Sequence, residues 1–362
     1  FKQKTAYEIP LRLVGSEMCI RDSYYSKVYA GKLLSNSKNS LSDKMLEHSV
    51  PLTDSATDSH HFYTWPINSP KVWVHIIHGM SEHAKRYDEF AIELNKAGVT
   101  VTADDHRGHG ATGVEMNSLL HLSDKDGWNK IVVDQIKLLR ELNSTIKCPL
   151  VLFGHSMGSY MALDICQRLS NARKEKKEDN LEISGLILSG SGYENKLFYQ
   201  INKFITKLEV MRCGKRNSSA LIQKLTFKSF NAQFSPSRTE NDWLSTDKAQ
   251  VDKYTKDPLC GGALSTQSWF DFISGIIRIF DRRNFNNISK DLPIYFVSGN
   301  QDPVGKNGKS VVNFKQFIEK QRFNSVDIRL FEGCRHELVN EKKREQFYTG
   351  IKAWLTKFSV ET

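Results

Sequence analysis

Gly154-His155-Ser156-Met157-Gly158 constrains the fold of this 362-residue chain more than any other stretch. The pentapeptide reads G-x-S-x-G, and its flanks are those of a strand, a sharp turn and a helix. Pro149-Leu150-Val151-Leu152-Phe153 precedes it as a short apolar run with strand character, and Met161, Ala162, Ile165 and Leu169 follow at helical spacing. The backbone of such a turn is strained, and strand and helix pass close together, so its neighbours must be small. Gly154 and Gly158 meet that demand. The strain pushes the Ser156 hydroxyl outward, where a base can reach it. The pattern alone is common in sequences; its flanks make it informative here.

A serine hydroxyl becomes a useful nucleophile when a histidine takes its proton and a carboxylate orients that histidine. In chains built around such an elbow the acid comes next and the histidine last. Of the 11 histidines only His336 follows Ser156. It sits in a loop just beyond Val326-Asp327-Ile328-Arg329-Leu330, which alternates as a strand does. For the acid, Leu292–Val297 reads as a buried strand running into Ser298-Gly299-Asn300-Gln301-Asp302-Pro303, which places Asp302 at the same sheet edge as the elbow. Asp291 precedes that strand and should lie at the opposite end, and Asp271 and Asp281 fall in a helix-like segment. The developing oxyanion needs backbone N–H donors. Met157, next to the serine, is one candidate. Met80 is the other, in His78-Gly79-Met80-Ser81-Glu82-His83 after the strand Lys71–Ile77.

These pieces, with Asp105-His106-Arg107-Gly108-His109-Gly110 between them, are ordered and spaced as in the monoacylglycerol lipase and lysophospholipase branch of the α/β-hydrolases, which is grouped with serine-aminopeptidase-like hydrolases. The chain resembles that branch over about residues 60–358. The resemblance implies a mostly parallel sheet flanked by helices, with a mainly helical cap inserted before the acid-bearing strand, at about 193–280. Residues 48–358 would form this single domain. It also implies Ser156 as nucleophile, Asp302 as acid, His336 as base, and the amides of Met80 and Met157 as the oxyanion hole.

Between Lys196 and Arg238 stand nine basic residues against one acid, Glu209, within a chain of net charge +10. In the same stretch Leu197, Phe198, Ile201, Phe204, Ile205, Leu208 and Met211 recur at helical steps, with Lys203 and Lys207 off that face. This reads as a cap helix whose apolar side faces an acyl pocket and whose basic flank meets an anionic membrane surface. An ordinary packed cap helix is the plainer reading. Nucleic acid is not expected as a partner, because the basic residues carry no recognised binding motif. Nothing in the sequence speaks to oligomeric state.

The six cysteines show no paired short spacing, so neither a metal site nor a disulfide framework is expected. No cofactor is implied. With no run of 18 apolar residues and no persuasive signal peptide, a cytoplasmic location is expected, with peripheral contact at a membrane. Residues 1–47 are expected to lie outside the fold. Val14–Ser23 resembles translated sequencing adapter, residues 24–47 are rich in Ser, Asn and Lys, Met45 is a plausible start, and folded sequence picks up near His61. The run Arg173–Asp179 reads as a solvated helix end or loop.

The leading functional expectation is a serine carboxylic-ester hydrolase working through an acyl-enzyme on monoacylglycerols or lysophospholipids. One rival is a serine aminopeptidase or proline iminopeptidase, which would need cap acids such as Glu240, Asp242, Asp247, Asp252 or Asp257 to hold an α-ammonium group. The other is a catalytically silent binding protein on the same scaffold.

Overall fold

The computed structural model describes residues 44–55, 57–174 and 181–359. The expected extension up to residue 43 lies outside these, as does most of the charged run after Arg173. The strands are β1 (Leu46–Pro51), β2 (Ser59–Trp65), β3 (Val72–Ile77), β4 (Val99–Asp104), β5 (Leu150–His155), β6 (Ile183–Ser189), β7 (Ile294–Gly299) and β8 (Val326–Phe331). They form one sheet in the order β1-β2-β4-β3-β5-β6-β7-β8. β1 and β2 join antiparallel at one edge, and every pairing from β4 to β8 is parallel.

A parallel sheet covered on both faces demands strands that are apolar throughout. β3, β5 and β7 meet this, being buried along their whole length. Alternate residues serve opposite faces. Leu150 and Leu152 of β5 pack with the helices Gly127–Asn143, Met157–Lys174 and Lys309–Glu319, while Val151 and Phe153 pack with the helices Asp88–Asn95 and Arg344–Leu355. The result is a sheet between two helical layers.

β1 begins at Leu46, so folded sequence starts ahead of His61 and a boundary at 48 would fall inside a strand. The strand is a half-exposed edge strand, and its mixed composition hid it. Between β6 and β7 lie the helices Lys196–Cys213, Ala220–Leu225, Phe227–Ala232, Lys248–Lys256 and Thr266–Ile279. Of these, Ala220–Leu225, Phe227–Ala232 and Lys248–Lys256 contribute residues to the cavity at Ser156, while Lys196–Cys213 packs on Thr266–Ile279. The last packs Trp269, Phe272 and Ile276 into the core beneath.

The helix Lys196–Cys213 departs from expectation. Leu197, Phe198, Ile201, Phe204, Leu208 and Met211 are 44–75% exposed, while Tyr199, Thr206 and Glu209 are its buried residues. Its apolar stripe faces outward and lines no part of the cavity beneath the cap. The helix Thr266–Ile279 and a Glu209–Ser219 hydrogen bond hold the opposite side, so the polar residues found partners inside. Several basic residues are also committed: Arg212 pairs with Glu209, Arg216 with Asp124 and Arg238 with Asp252.

Candidate active site

The elbow after β5 places Ser156 at φ 51°, a left-handed conformation that costs energy in a residue with a Cβ. Close packing holds it there. A Cβ on Gly158 would stand 2.0 Å from the Ile77 carbonyl oxygen, and one on Gly154 would stand 2.4 Å from the Gly158 oxygen. The Ser156 N–H donates to Ser189 O on the neighbouring strand (2.8 Å). The helix Met157–Lys174 starts at the next residue, whose amide has no partner within the helix.

Asp302 and His336 come from loops leaving adjacent parallel strands. Those loops are laced together, with Asn300 N–H donating to Phe331 O (3.0 Å) and Gln301 N–H to Cys334 O (2.9 Å). Asp302 is fully buried, accepts from Val304 N–H (2.9 Å) and Ser298 Oγ (3.1 Å), and faces His336 Nδ1 with both oxygens at 3.0 Å. A carboxylate only accepts, so Nδ1 carries the hydrogen and Nε2 is the free base in the neutral ring. Burial disfavours charge on both groups, yet their mutual attraction outweighs it, raising His336 above its ordinary 6.5 and lowering Asp302 below 3.8. The second nearby imidazole, His155, lies 4.7 Å from His336 between ring centroids, and burial with that neighbour pushes it down to about 3. It stays neutral.

Ser156 and His336 line the same cavity of about 540 Å³, with Gly79, Met80, Trp243 and Tyr254 among the other walls. No hydrogen bond joins Ser156 Oγ to His336, a bond that in substrate-free sites often closes only on binding. Gly79 lies against Ser156: a Cβ there would be 3.2 Å from the Ser156 Cβ. Its N–H donates to Glu82 Oε1 (2.6 Å), whereas no group of the described residues accepts from the amide of Met80.

One arrangement escaped the sequence. Arg86 donates to Glu82 Oε2 (2.6 Å) and, with both terminal nitrogens, to Glu337 (2.7 and 2.5 Å). It also stands 4.7 Å from the Tyr254 ring centre. All three ionic side chains are buried to within 10%. Burial raises Glu82 above the usual carboxylate range, while Arg86 holds Glu337 below it. One guanidinium thus spans the loop holding Gly79 and Met80 and the loop holding His336. Only the motif Ser81-Glu82-His83 hinted at it, since 251 positions separate Arg86 from Glu337. Trp243, its ring tilted by 34° at 5.0 Å from that of His336, likewise has no local sequence signal. Among the other acids, Asp271 accepts from Gly127 N–H in the core layer, and Asp291 precedes β7 at the far end of the sheet.

A family model described as serine aminopeptidase, S33, matches residues 68–343. A monoglyceride lipase homolog of Monkeypox virus is 25% identical over 298 residues, covering 81% of this chain and 92% of its own. Monoglyceride lipase of Mus musculus is 23% identical over 283 residues, covering 77% and 80%. A thermostable carboxyl esterase from Bacillus coagulans shares the fold with a TM-score of 0.76 at 24% identity, over 87% of this chain and 99% of that one. The family model spans most of the sequence, and the sheet order and elbow agree with it. The chain therefore belongs to the serine aminopeptidase S33 family of hydrolases, as a monoacylglycerol lipase-like α/β-hydrolase.

Proposed function

We propose that the protein is a serine ester hydrolase that cleaves monoacylglycerols through an acyl-enzyme. The observation that carries this reading is His336, held by Asp302 at Nδ1, sharing one cavity with a strained Ser156. His336 Nε2 takes the Ser156 proton as Oγ attacks the acyl carbonyl, and the amides of Met80 and Met157 stabilise the oxyanion. The imidazolium then protonates the departing glycerol oxygen. Water, deprotonated by His336, releases the fatty acid and restores the serine. No step calls for a metal or cofactor.

The names of the viral and mouse relatives support a monoacylglycerol substrate, and so does the charge of the cavity. Its lining carries Glu82, Glu240 and Glu337 against Lys228, and Arg86 is spent on pairing with Glu82 and Glu337, so no free cation besides Lys228 faces the phosphate of a lysophospholipid among the lining residues. Of the five cap acids that a peptidase could use, Glu240 lines the cavity; Asp242 and Asp252 meet Arg238, Asp247 caps a helix and Asp257 meets His83. Release of oleate from monooleoylglycerol at least about tenfold faster than from lysophosphatidic acid, with no cleavage of an aminoacyl-naphthylamide, is the expected result. The reverse preference would refute the substrate assignment.

The same reading gives the outward face of the helix Lys196–Cys213 a role as a peripheral lipid-docking surface. Its six apolar side chains are exposed, as are Leu221 and Leu225 of the next helix and the cations Lys207 and Lys224. Among the described residues no helix is long and apolar enough to cross a membrane.

A further inference from the structure

The fold gathers one group of ligating side chains that the catalytic mechanism leaves unused. His83 closes the loop that begins at Gly79, and Asp257 and Cys260 lie on the turn leaving the helix Lys248–Lys256. Their imidazole nitrogen, carboxylate oxygen and thiol sulfur all lie within 4.8 Å of one another, with His83 Nε2 and Asp257 Oδ2 at 2.9 Å. Local hydrogen bonds set the turn. Cys260 N–H donates to Asp257 O (3.1 Å) and Leu259 N–H to Asp257 Oδ1 (2.9 Å), which leaves Oδ2 directed at His83.

A thiolate, an imidazole and a carboxylate form a donor set that zinc takes in sites with an open fourth position. The surroundings suit a cation. Asp257 brings a carboxylate directly to the cluster, and the charge of Arg86 is met by its ion pairs with Glu82 and Glu337. An entry path exists, because the Asp257 side chain is 30% exposed and Cys260 is partly exposed and free of any disulfide. No local pattern encodes this cluster, since 174 positions separate His83 from Asp257 and no second cysteine stands close by.

We propose that His83, Asp257 and Cys260 form a three-ligand site for a thiophilic divalent cation, zinc by its donor set, that ties the oxyanion loop to the cap. Binding replaces the hydrogen bond between His83 and Asp257 and releases the Cys260 thiol proton to solvent. The two segments already touch here: Ser81 O accepts from Gly261 N–H (3.0 Å) and from the Tyr254 hydroxyl (2.9 Å), and Ser81 Oγ donates to Gly262 O (2.8 Å). The cation adds a link of metal–ligand strength at a joint so far held by hydrogen bonds.

The test is titration of the reduced full chain with Co²⁺ as a spectroscopic stand-in. One equivalent should produce a sulfur-to-cobalt charge-transfer band with d–d absorption, and zinc should erase both. Cys260→Ser should lose the charge-transfer band, and Asp257→Asn should weaken cobalt binding about tenfold or more. Zinc should raise the unfolding temperature of the wild type and leave that of Cys260→Ser unchanged. A wild-type protein without the charge-transfer band overturns the proposal, and so does a band that persists in Cys260→Ser.

Discussion

The two walls of the cavity are built differently. On the sheet wall, chemical groups are fixed by both backbone and hydrogen bonds. Asp302 and His336 leave adjacent parallel strands on interlaced loops, and Glu82, Arg86 and Glu337 tie the His336 loop to the loop of Gly79 and Met80. On the cap wall, contacts are mostly aromatic: Trp243 stacks on Phe227 and reaches His336, while the helix Lys196–Cys213 turns its apolar side away altogether. On the proposed reading, the sheet wall carries the reaction and the cap governs how a substrate arrives. Substitutions on the two walls should therefore separate by assay.

The largest effects belong to the sheet wall. Ser156→Ala, His336→Ala and Asp302→Asn should each lower hydrolysis by about 10⁴-fold or more on any ester, soluble or lipid-borne. Near-normal turnover in one of them would show that its role is misassigned.

On the cap wall the effect should depend on how the substrate is presented. Replacing Phe198, Ile201 and Phe204 together by serine removes side chains each worth roughly 1.5–3 kcal/mol when fully buried in lipid. Hydrolysis of monooleoylglycerol in vesicles should fall on the order of 10²-fold, with cleavage of p-nitrophenyl acetate unchanged. Equal losses on both substrates would mean that the face packs structurally and that the two walls are not separable.

Glu337→Gln probes the brace more gently. A histidine base works in its neutral form, so the raised pKa of His336 places the acid limb of kcat/KM above 6.5, with activity lost as pH falls through it. The Glu337 charge is one cause of that rise, after burial, which opposes it, and Asp302, which dominates it. The variant should shift the acid limb to lower pH with a modest change in kcat. An unmoved limb would remove Glu337 from the electrostatics of the site.

The smallest effect is expected from reversing Lys203, Lys207, Lys215 and Arg216 to glutamate. Each lysine at an anionic surface is worth roughly 1 kcal/mol. Arg216 is tied to Asp124, however, and Lys215 donates to the Asp124 carbonyl. Vesicle binding should weaken less than with the apolar triple variant, and salt should mask most of the difference. A larger loss from charge reversal would invert the assignment of the docking face.

How much the sequence reveals follows the same division. Ser156, Asp302 and His336 share one sheet edge because parallel strands all end there, so an apolar run followed by a turn locates each residue without knowledge of its contacts. The brace of Glu82, Arg86 and Glu337 rests on pairing between distant segments, which no local pattern encodes. For the helix Lys196–Cys213, periodicity identifies which residues share a face. It cannot say whether that face points in or out, which here depended on Glu209 finding Ser219 inside. β1 was missed for a related reason, since a half-exposed edge strand needs few apolar residues.

The central claim is that Ser156 is the nucleophile, activated by His336. Its most direct test is labelling of the full chain by a fluorophosphonate, followed by mass mapping of the adduct. One adduct on Ser156 is predicted, formed rapidly in the wild type and strongly slowed in His336→Ala. An unlabelled protein, or an adduct on another residue, would contradict the account.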